Sequence, residues 1–242
     1  MSADFTVVFA LYPRVTQLDF TGPLEVFARL PQARVVLAAA RAGELAADGG
    51  VTFAHIAPLP EINECSLLCV PGGFGCTAAM ADPVYLEALR RLGAQARYVT
   101  SVCTGSLLLG AAGLMRGRRA ACHWAFRDLL PLFGAIPDAA RVVRDGNVFT
   151  GGGVTAGIDM ALTVVAEIAG EDVAAGVQLA IEYAPEPPLQ AGRPEIAPPQ
   201  VVAAVRQRFE RLWPERLAAV QRAASALQTE IARASPSPSR TS

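Results

Sequence analysis

Short apolar segments recur along the chain, and helical patterns separate them. Three of these segments, TVVFALY (6–12), SLLCVP (66–71) and RYVTSVC (97–103), lack polar alternation and therefore predict strands buried on both faces. The helical patterns cover residues 23–30, 82–95, 104–112, 123–133, 155–170 and 171–184. This alternation predicts an α/β fold with a mainly parallel sheet covered by helices on both faces. Ligands of such sheets bind beyond the carboxyl ends of the strands.

Turn residues and proline divide the rest of the chain. Asp-Gly dipeptides predict two β-hairpins, in 43–56 and in 140–153. We expect one α/β domain over residues 1–184 and a Pro-rich connector over 185–199. A helix or helix pair, broken near Pro214, should follow over 200–233 and pack on the domain or in a dimer. The Ser- and Pro-rich segment 234–242 predicts a disordered tail.

Composition narrows the class of protein. The 242 residues carry a formal net charge of −1, so neither nucleic acid nor an anionic membrane surface is an expected partner. No apolar run approaches the ~20 residues that span a bilayer, and the N-terminal segment predicts a first strand instead of a signal peptide. Five cysteines without a CxxC pair and two distant histidines favour free thiols in the cytoplasm over disulfides or a metal site.

One cysteine stands where a strand changes into a helix, in YVTSVCTGSLLLGAAGL (98–114). Cys103 has the small residues Ser101 and Gly105 two positions before and after it, the pattern of a nucleophile elbow. Such a turn exposes the sulfur at a helix N-terminus, which favours the thiolate. A buried structural cysteine is the alternative, and it is the commoner fate of a free thiol.

A thiol nucleophile needs a partner that moves protons. The residue after Cys103 is Thr104 instead of histidine, and His123 lies beyond the next helix, where packing beside Trp124 is an equal alternative. A carboxylate is then the natural partner, and Asp19 lies in the predicted loop after the first strand. Asp19 could instead cap helix 23–30, although Thr21 could do that equally well.

Two glycine-rich segments should lie near the same edge of the sheet. PGGFG (71–75) offers the amides of Gly72 and Gly73 as donors to a bound ligand, or it forms a simple tight turn. TGGGVTAG (150–157) matches neither phosphate-binding template, so close backbone approach to the Cys103 turn explains it better. The candidate ligand contacts are Gly72, Gly73, His123, Val154 and Thr155.

With these residues identified, the chain resembles the ThiJ/PfpI superfamily and, within it, the isocyanide hydratases. The resemblance is carried, in this order, by QLDFTGP, VPGGFG, ARYVTSVCTGSLLLGAAGL, HWAF, RVVRDGN, TGGGVTAGIDMAL and VQLAIEYAPEPP. It implies a flavodoxin-like, class I glutamine amidotransferase-like fold and a homodimer without a cofactor. It also implies that Cys103 is the nucleophile, Asp19 the acid/base partner and Thr104 a helper beside the thiol. The expected reaction converts an isocyanide to an N-substituted formamide through a cysteine thioimidate.

Other activities remain as alternatives. The PfpI-type proteases carry histidine directly after the cysteine, and glyoxalase- or deglycase-like members use a glutamate near the thiol; this chain has Thr104 and Asp19. A transcriptional regulator would need a longer basic extension. Here residues 200–242 interleave their arginines with glutamates, which suits a solvated or dimer-packing helix. A ligand- or redox-sensing role for Cys103 is open, because the same thiol serves both purposes.

Overall fold

Within residues 5–234, which the computed structural model describes, eight strands form one sheet in the order β3-β4-β2-β1-β5-β6-β10-β9. Two short strands, β7 and β8, pair separately. The strands are β1 (Phe5–Leu11), β2 (Ala33–Ala39), β3 (Gly43–Ala46), β4 (Thr52–Pro58), β5 (Leu67–Val70), β6 (Tyr98–Val102), β7 (Arg119–Ala120), β8 (Ile136–Pro137), β9 (Val142–Asp145) and β10 (Val148–Gly151). The central pairs β2-β1-β5-β6-β10 are all parallel.

Helices flank this sheet. They are α1 (Gln17–Phe27), α2 (Cys76–Ala79), α3 (Pro83–Gln95), α4 (Gly105–Ala111), α5 (Ala156–Ala169), α6 (Glu171–Ala180), α7 (Pro199–Glu210) and α8 (Trp213–Ala234), with a 3-10 helix at Arg127–Phe133. The predicted α/β class with a mainly parallel, helix-covered sheet is confirmed. Both hairpins are confirmed too, since β3 pairs with β4 and β9 with β10 in antiparallel fashion. None of the described helices is long and apolar enough to cross a membrane.

The start of α3 follows from its sequence. The Asp82 side chain accepts hydrogen bonds from the amides of Val84 and Tyr85, and Pro83 occupies the first helical position. The helix then buries Tyr85, whose hydroxyl donates to the carbonyl of Ala10 in β1 over 2.7 Å. This bond ties the helix to the central strand of the sheet.

Three helices differ from the prediction, and one of them, predicted over 171–184, already ends at Ala180. The first helix begins at Gln17, six residues before the predicted start, and it contains Pro23 in its interior. Packing against α5 compensates for the proline, since Gly157 leaves room for the Pro23 ring. The segment 123–133 is helical only from Arg127, as a 3-10 helix, because Pro131 cannot donate the hydrogen bond of an α-helix.

The C-terminal part forms two helices that meet at Arg211 and Leu212. The second, α8, packs against α2, α4 and the 3-10 helix and buries Ala219 and Val220 there. Of the predicted disordered tail, 234–242, all but Ala234 lies outside the described residues.

The Tyr85 hydrogen bond gives a stability prediction. Tyr85→Phe removes a buried donor and leaves the Ala10 carbonyl without that partner, so we expect a loss of about 1–2 kcal/mol in the free energy of unfolding. Urea denaturation measures the change. Tyr98→Phe is the matched control, because Tyr98 is also buried but its hydroxyl has no hydrogen bond within the described chain. Equal stabilities of the two variants would contradict the assignment.

Candidate active site

Cys103 occupies a strained turn between β6 and α4. Its φ of +58° is in the left-handed region that side chains other than glycine rarely adopt. The amide of Cys103 donates to the carbonyl of Gly151 in β10 over 2.9 Å, which anchors the turn. A Cβ at Gly105 would lie 2.0 Å from the carbonyl oxygen of Val70, so only glycine fits there. The elbow predicted from the small flanking residues is therefore present.

The protonation state of Cys103 differs from the expectation. Burial raises the pKa of its thiol well above the ordinary value, and Asp19 raises it further. The amide of Thr104 and the charge of Arg216 oppose this increase without cancelling it. The expectation that this turn favours the thiolate is therefore wrong for the net shift of the pKa, because burial outweighs the donor at the helix N-terminus.

Asp19 lies in the first turn of α1 and is fully buried. Its Oδ2 accepts a hydrogen bond from the amide of Gly72 over 2.8 Å, whereas Oδ1 has no partner among the described residues. Burial raises the pKa of this carboxyl to about 7, although the Gly72 amide and the neighbouring Cys103 thiol act in the opposite direction. Asp19 does not cap a helix, and neither does Thr21, whose hydroxyl donates to the carbonyl of Gln17.

The glycine loop after β5 holds this carboxyl in place. The amide of Gly73 donates to Oγ1 of Thr104 over 3.1 Å, and that of Gly72 is bound to Asp19. Both amides are therefore engaged within the protein and do not form the open donor pair that the sequence predicts. A Cβ at Gly72 would approach Asp19 Oδ2 to 2.8 Å and the amide nitrogen of Thr104 to 2.5 Å. The absence of a side chain lets the loop, the carboxyl and the cysteine turn meet.

A cavity of about 210 Å³ opens above the sulfur. Most of its walls are apolar or aromatic, and its lining residues come from the N-terminal and the C-terminal parts of the chain. The lining residues are Thr16, Gly73, Phe74, Cys103, Thr104, His123, Phe126, Val154, Phe209, Leu212 and Arg216. Sequence patterns did not predict the remaining lining residues, which are Thr16, Phe74, Phe126, Phe209, Leu212 and Arg216. An apolar stripe with one arginine on the C-terminal helices was the available signal for the last three.

His123 reaches this cavity, where its ring contacts Phe126 and Phe209 at centroid distances of 6.2 and 5.1 Å. Burial, reinforced by Arg216, lowers its pKa to about 4, so the imidazole is neutral near pH 7. Nδ1 accepts a hydrogen bond from the amide of Ala125, and the proton of the neutral ring consequently sits on Nε2. His123 is therefore a hydrogen-bond donor and not a base at neutral pH.

Only one of the two predicted ligand contacts in TGGGVTAG, Val154, lies in the same cavity as Cys103. Val154 lines the cavity beside Cys103 and a neighbouring cavity as well, whereas Thr155 lines only the neighbouring one and accepts a hydrogen bond from Arg141. Cys76 is buried below the site, and its thiol donates to the carbonyl of Thr104. Over residues 5–234, no cluster of three acidic, histidine or cysteine side chains could hold a metal ion.

The raised pKa of Asp19 gives a prediction about stability. A proton held to about pH 7 in the fold is lost near pH 4 from the unfolded chain, so this contribution is complete below pH 4 and disappears as the pH rises through 7. Asp19→Asn removes this pH dependence of the free energy of unfolding, because asparagine does not titrate. We expect its stability relative to the unmodified chain to increase by on the order of 4 kcal/mol between pH 4 and pH 8. Urea denaturation at both pH values tests this. Exposed Asp172→Asn is the control, and a difference that does not change with pH would contradict the assignment.

Comparisons with known proteins agree with this geometry. The chain is 50% identical over 222 residues to an isonitrile hydratase from Pseudomonas putida, covering 90% of this chain and 96% of the relative. The crystal structure of a ThiJ/PfpI family protein from Pseudomonas syringae superposes with a TM-score of 0.86 at 39% identity, covering 91% of this chain and 90% of that one. A transcriptional regulator of the HTH type from Pseudomonas aeruginosa is 31% identical over 186 residues, which are 73% of this chain but only 54% of the regulator.

The model of the DJ-1/PfpI family matches residues 5–167, a span that contains Asp19, the glycine loop and Cys103. By this match and by the similarity over nearly its whole length to the Pseudomonas putida enzyme, the chain belongs to the DJ-1/PfpI family.

Proposed function

We propose that this protein is an isocyanide hydratase, which adds water to an isocyanide and releases an N-substituted formamide. The observation that carries the proposal is the juxtaposition of Cys103, on a strained turn, with a buried carboxyl that keeps a proton near pH 7. The half-identical relative named isonitrile hydratase supports the same reaction.

The first step needs a nucleophile and an acid at the same carbon. The sulfur of Cys103 forms a bond to the terminal carbon of R–N≡C, and that carbon takes a proton from Asp19. The product is a thioimidate, R–N=CH–S–Cys103, with Asp19 left as the carboxylate. The reactive form of the pair therefore has its one proton on oxygen and its one negative charge on sulfur. Because the pKa of the thiol is above that of the carboxyl, this form is the minor one, and most singly protonated pairs hold the proton on sulfur.

The second step returns the enzyme to its starting state. A water oxygen adds to the imidoyl carbon, one water proton passes to the nitrogen, and the other passes to Asp19. The C–S bond then breaks, which regenerates the thiolate and releases R–NH–CHO. Asp19 gives a proton in the first step and regains one in the second, as a carboxyl with a pKa near the working pH can do.

The cavity supports a small apolar substrate. Phe74, Phe126 and Phe209 line it, and its volume of about 210 Å³ is below the usual range for drug-sized ligands. An isocyanide with one ring fits this description. His123 can donate a hydrogen bond from Nε2 to the substrate nitrogen or to the attacking water, and Val154 forms part of the opposite wall.

We further propose a cytoplasmic homodimer. Leu179 and Leu189, which lie in α6 and in the segment after it, are 81% and 74% exposed, so this region offers apolar surface to a second copy. All five cysteines are buried free thiols, which suits a reducing compartment. Size-exclusion chromatography with light scattering would give the mass in solution.

The assay follows formamide production from an aryl isocyanide, with methylglyoxal and a peptide amide as alternative substrates. We expect turnover of the isocyanide alone and loss of that turnover in Cys103→Ala, because no other thiol lines the cavity among the described residues. Cys65→Ala is the matched control, since Cys65 is buried away from the cavity. Turnover by Cys103→Ala at the full rate would refute the nucleophile, and preference for methylglyoxal would favour the glyoxalase-like alternative.

Asp19→Asn tests the proton donor separately. Asparagine can still accept the hydrogen bond of the Gly72 amide but cannot give a proton to carbon, so kcat should fall by roughly 10²–10⁴-fold. Thiol alkylation at Cys103 should continue in this variant, which would separate the loss of acid catalysis from loss of the site. An unchanged kcat would mean that Asp19 has only a structural role.

A further inference from the structure

Arg216, in α8, is a buried cation at the edge of the cavity. It is only 2% exposed, and no ion pair of residues 5–234 includes it. Its Nη2 donates to the carbonyls of Gly73 and Phe74, each over 3.2 Å, and its Nε donates to Oγ1 of Thr77. The guanidinium also lies 4.5 Å from the ring centroid of Phe126. Neutral groups therefore satisfy its hydrogen bonds, but no carboxylate balances its charge.

Arg216 carries the only permanent charge among the described residues that line the cavity. Burying an unbalanced cation costs free energy, so an anion formed nearby is stabilised by it. The titratable groups that surround the site come from β1, α1, β5, α2, α3 and the segments on both sides of α4. They are Tyr12, Asp19, Cys69, Cys76, Tyr85, Cys103, Cys122, His123 and Arg127.

We propose that Arg216 is a positioning residue whose charge balances the single negative charge that the Cys103–Asp19 pair carries in its reactive form. The inference deepens the proposed function and rests on it for the identity of the reaction. Arg216 lies on the wall of the same cavity as the sulfur and has no carboxylate of its own. It acts on the chemistry through Cys103, the member of the pair that carries the negative charge in the reactive form.

The electrostatic effects of Arg216 on its neighbours agree with this role. It lowers the pKa of the Cys103 thiol and also that of Cys76 and Cys122, and it helps to keep His123 neutral. Burial has the larger effect on each of these groups. Together with the amide of Thr104, Arg216 therefore partly offsets the desolvation of an anion at Cys103.

The same side chain also orients the glycine loop. The carbonyls of Gly73 and Phe74 accept hydrogen bonds from Arg216, so this side chain holds the loop in addition to Asp19 and Thr104. The test must consequently separate loss of charge from loss of these hydrogen bonds. Arg216→Met removes both, Arg216→Gln keeps a donor without the charge, and Arg216→Lys keeps the charge.

The first readout is the pH dependence of Cys103 alkylation by iodoacetamide in the full-length protein, with Cys103→Ala as the background. We expect the midpoint to rise by about one pH unit in Arg216→Met and Arg216→Gln, and to stay near that of the unmodified protein in Arg216→Lys. Arg222→Met is the matched control, because Arg222 lies on the same helix but is exposed. Circular dichroism checks that each variant folds. If Arg216→Met does not fold, the difference in alkylation midpoint between Arg216→Gln and Arg216→Lys tests the proposal.

The second readout is kcat/KM for an aryl isocyanide over the same pH range. Loss of the charge in Arg216→Met and Arg216→Gln should reduce it about tenfold, and a higher pH should not restore it, because Asp19 loses its proton at about pH 7. An unshifted alkylation midpoint overturns the proposal, and so does a loss of activity in Arg216→Lys as large as that in Arg216→Met and Arg216→Gln, which would indicate loop positioning alone. A shifted midpoint in a protein without isocyanide turnover would support the charge balance and refute the proposed reaction instead.

Discussion

The Oδ1 atom of Asp19 is inaccessible to solvent and has no hydrogen-bond partner within the described chain, while Oδ2 has one from Gly72. A carboxylate with so few donors is poorly stabilised, so the group retains a proton to about pH 7. That proton lies beside the thiol of Cys103. The proposed reaction depends on this arrangement, because in that reaction an ionised Asp19 could neither protonate the substrate carbon nor leave the negative charge on the sulfur.

The sheet topology brings the parts of this arrangement together. β1, β5 and β6 are adjacent and parallel, so the segments that follow them meet at one edge of the sheet. Asp19 follows β1, the glycine loop follows β5, and Cys103 follows β6. Each contact between these segments needs close backbone approach, which Gly72 and Gly105 permit by having no Cβ.

The sequence predicted those features that depend on neighbouring residues. The α3 cap at Asp82, both hairpins and the Cys103 turn are local, and the parallel sheet then places Asp19 near the cysteine. The start of α1 could not be predicted in this way, because its internal Pro23 is tolerated only through packing against Gly157, far along the chain. The raised pKa of Cys103 was missed for a similar reason, since burial is a property of the whole fold.

The wall formed by Phe209, Leu212 and Arg216 is the part of the site that sequence patterns predict least well. These residues enter the site only because α8 docks against α2 and α4, and their spacing alone resembles any amphipathic helix. The docking has two opposing effects. Apolar side chains enclose the cavity and make ionisation of the Cys103–Asp19 pair costly, whereas Arg216 brings a cation that offsets part of the same cost. A cavity closed by apolar residues alone would hold a small apolar molecule but would disfavour a thiolate at Cys103.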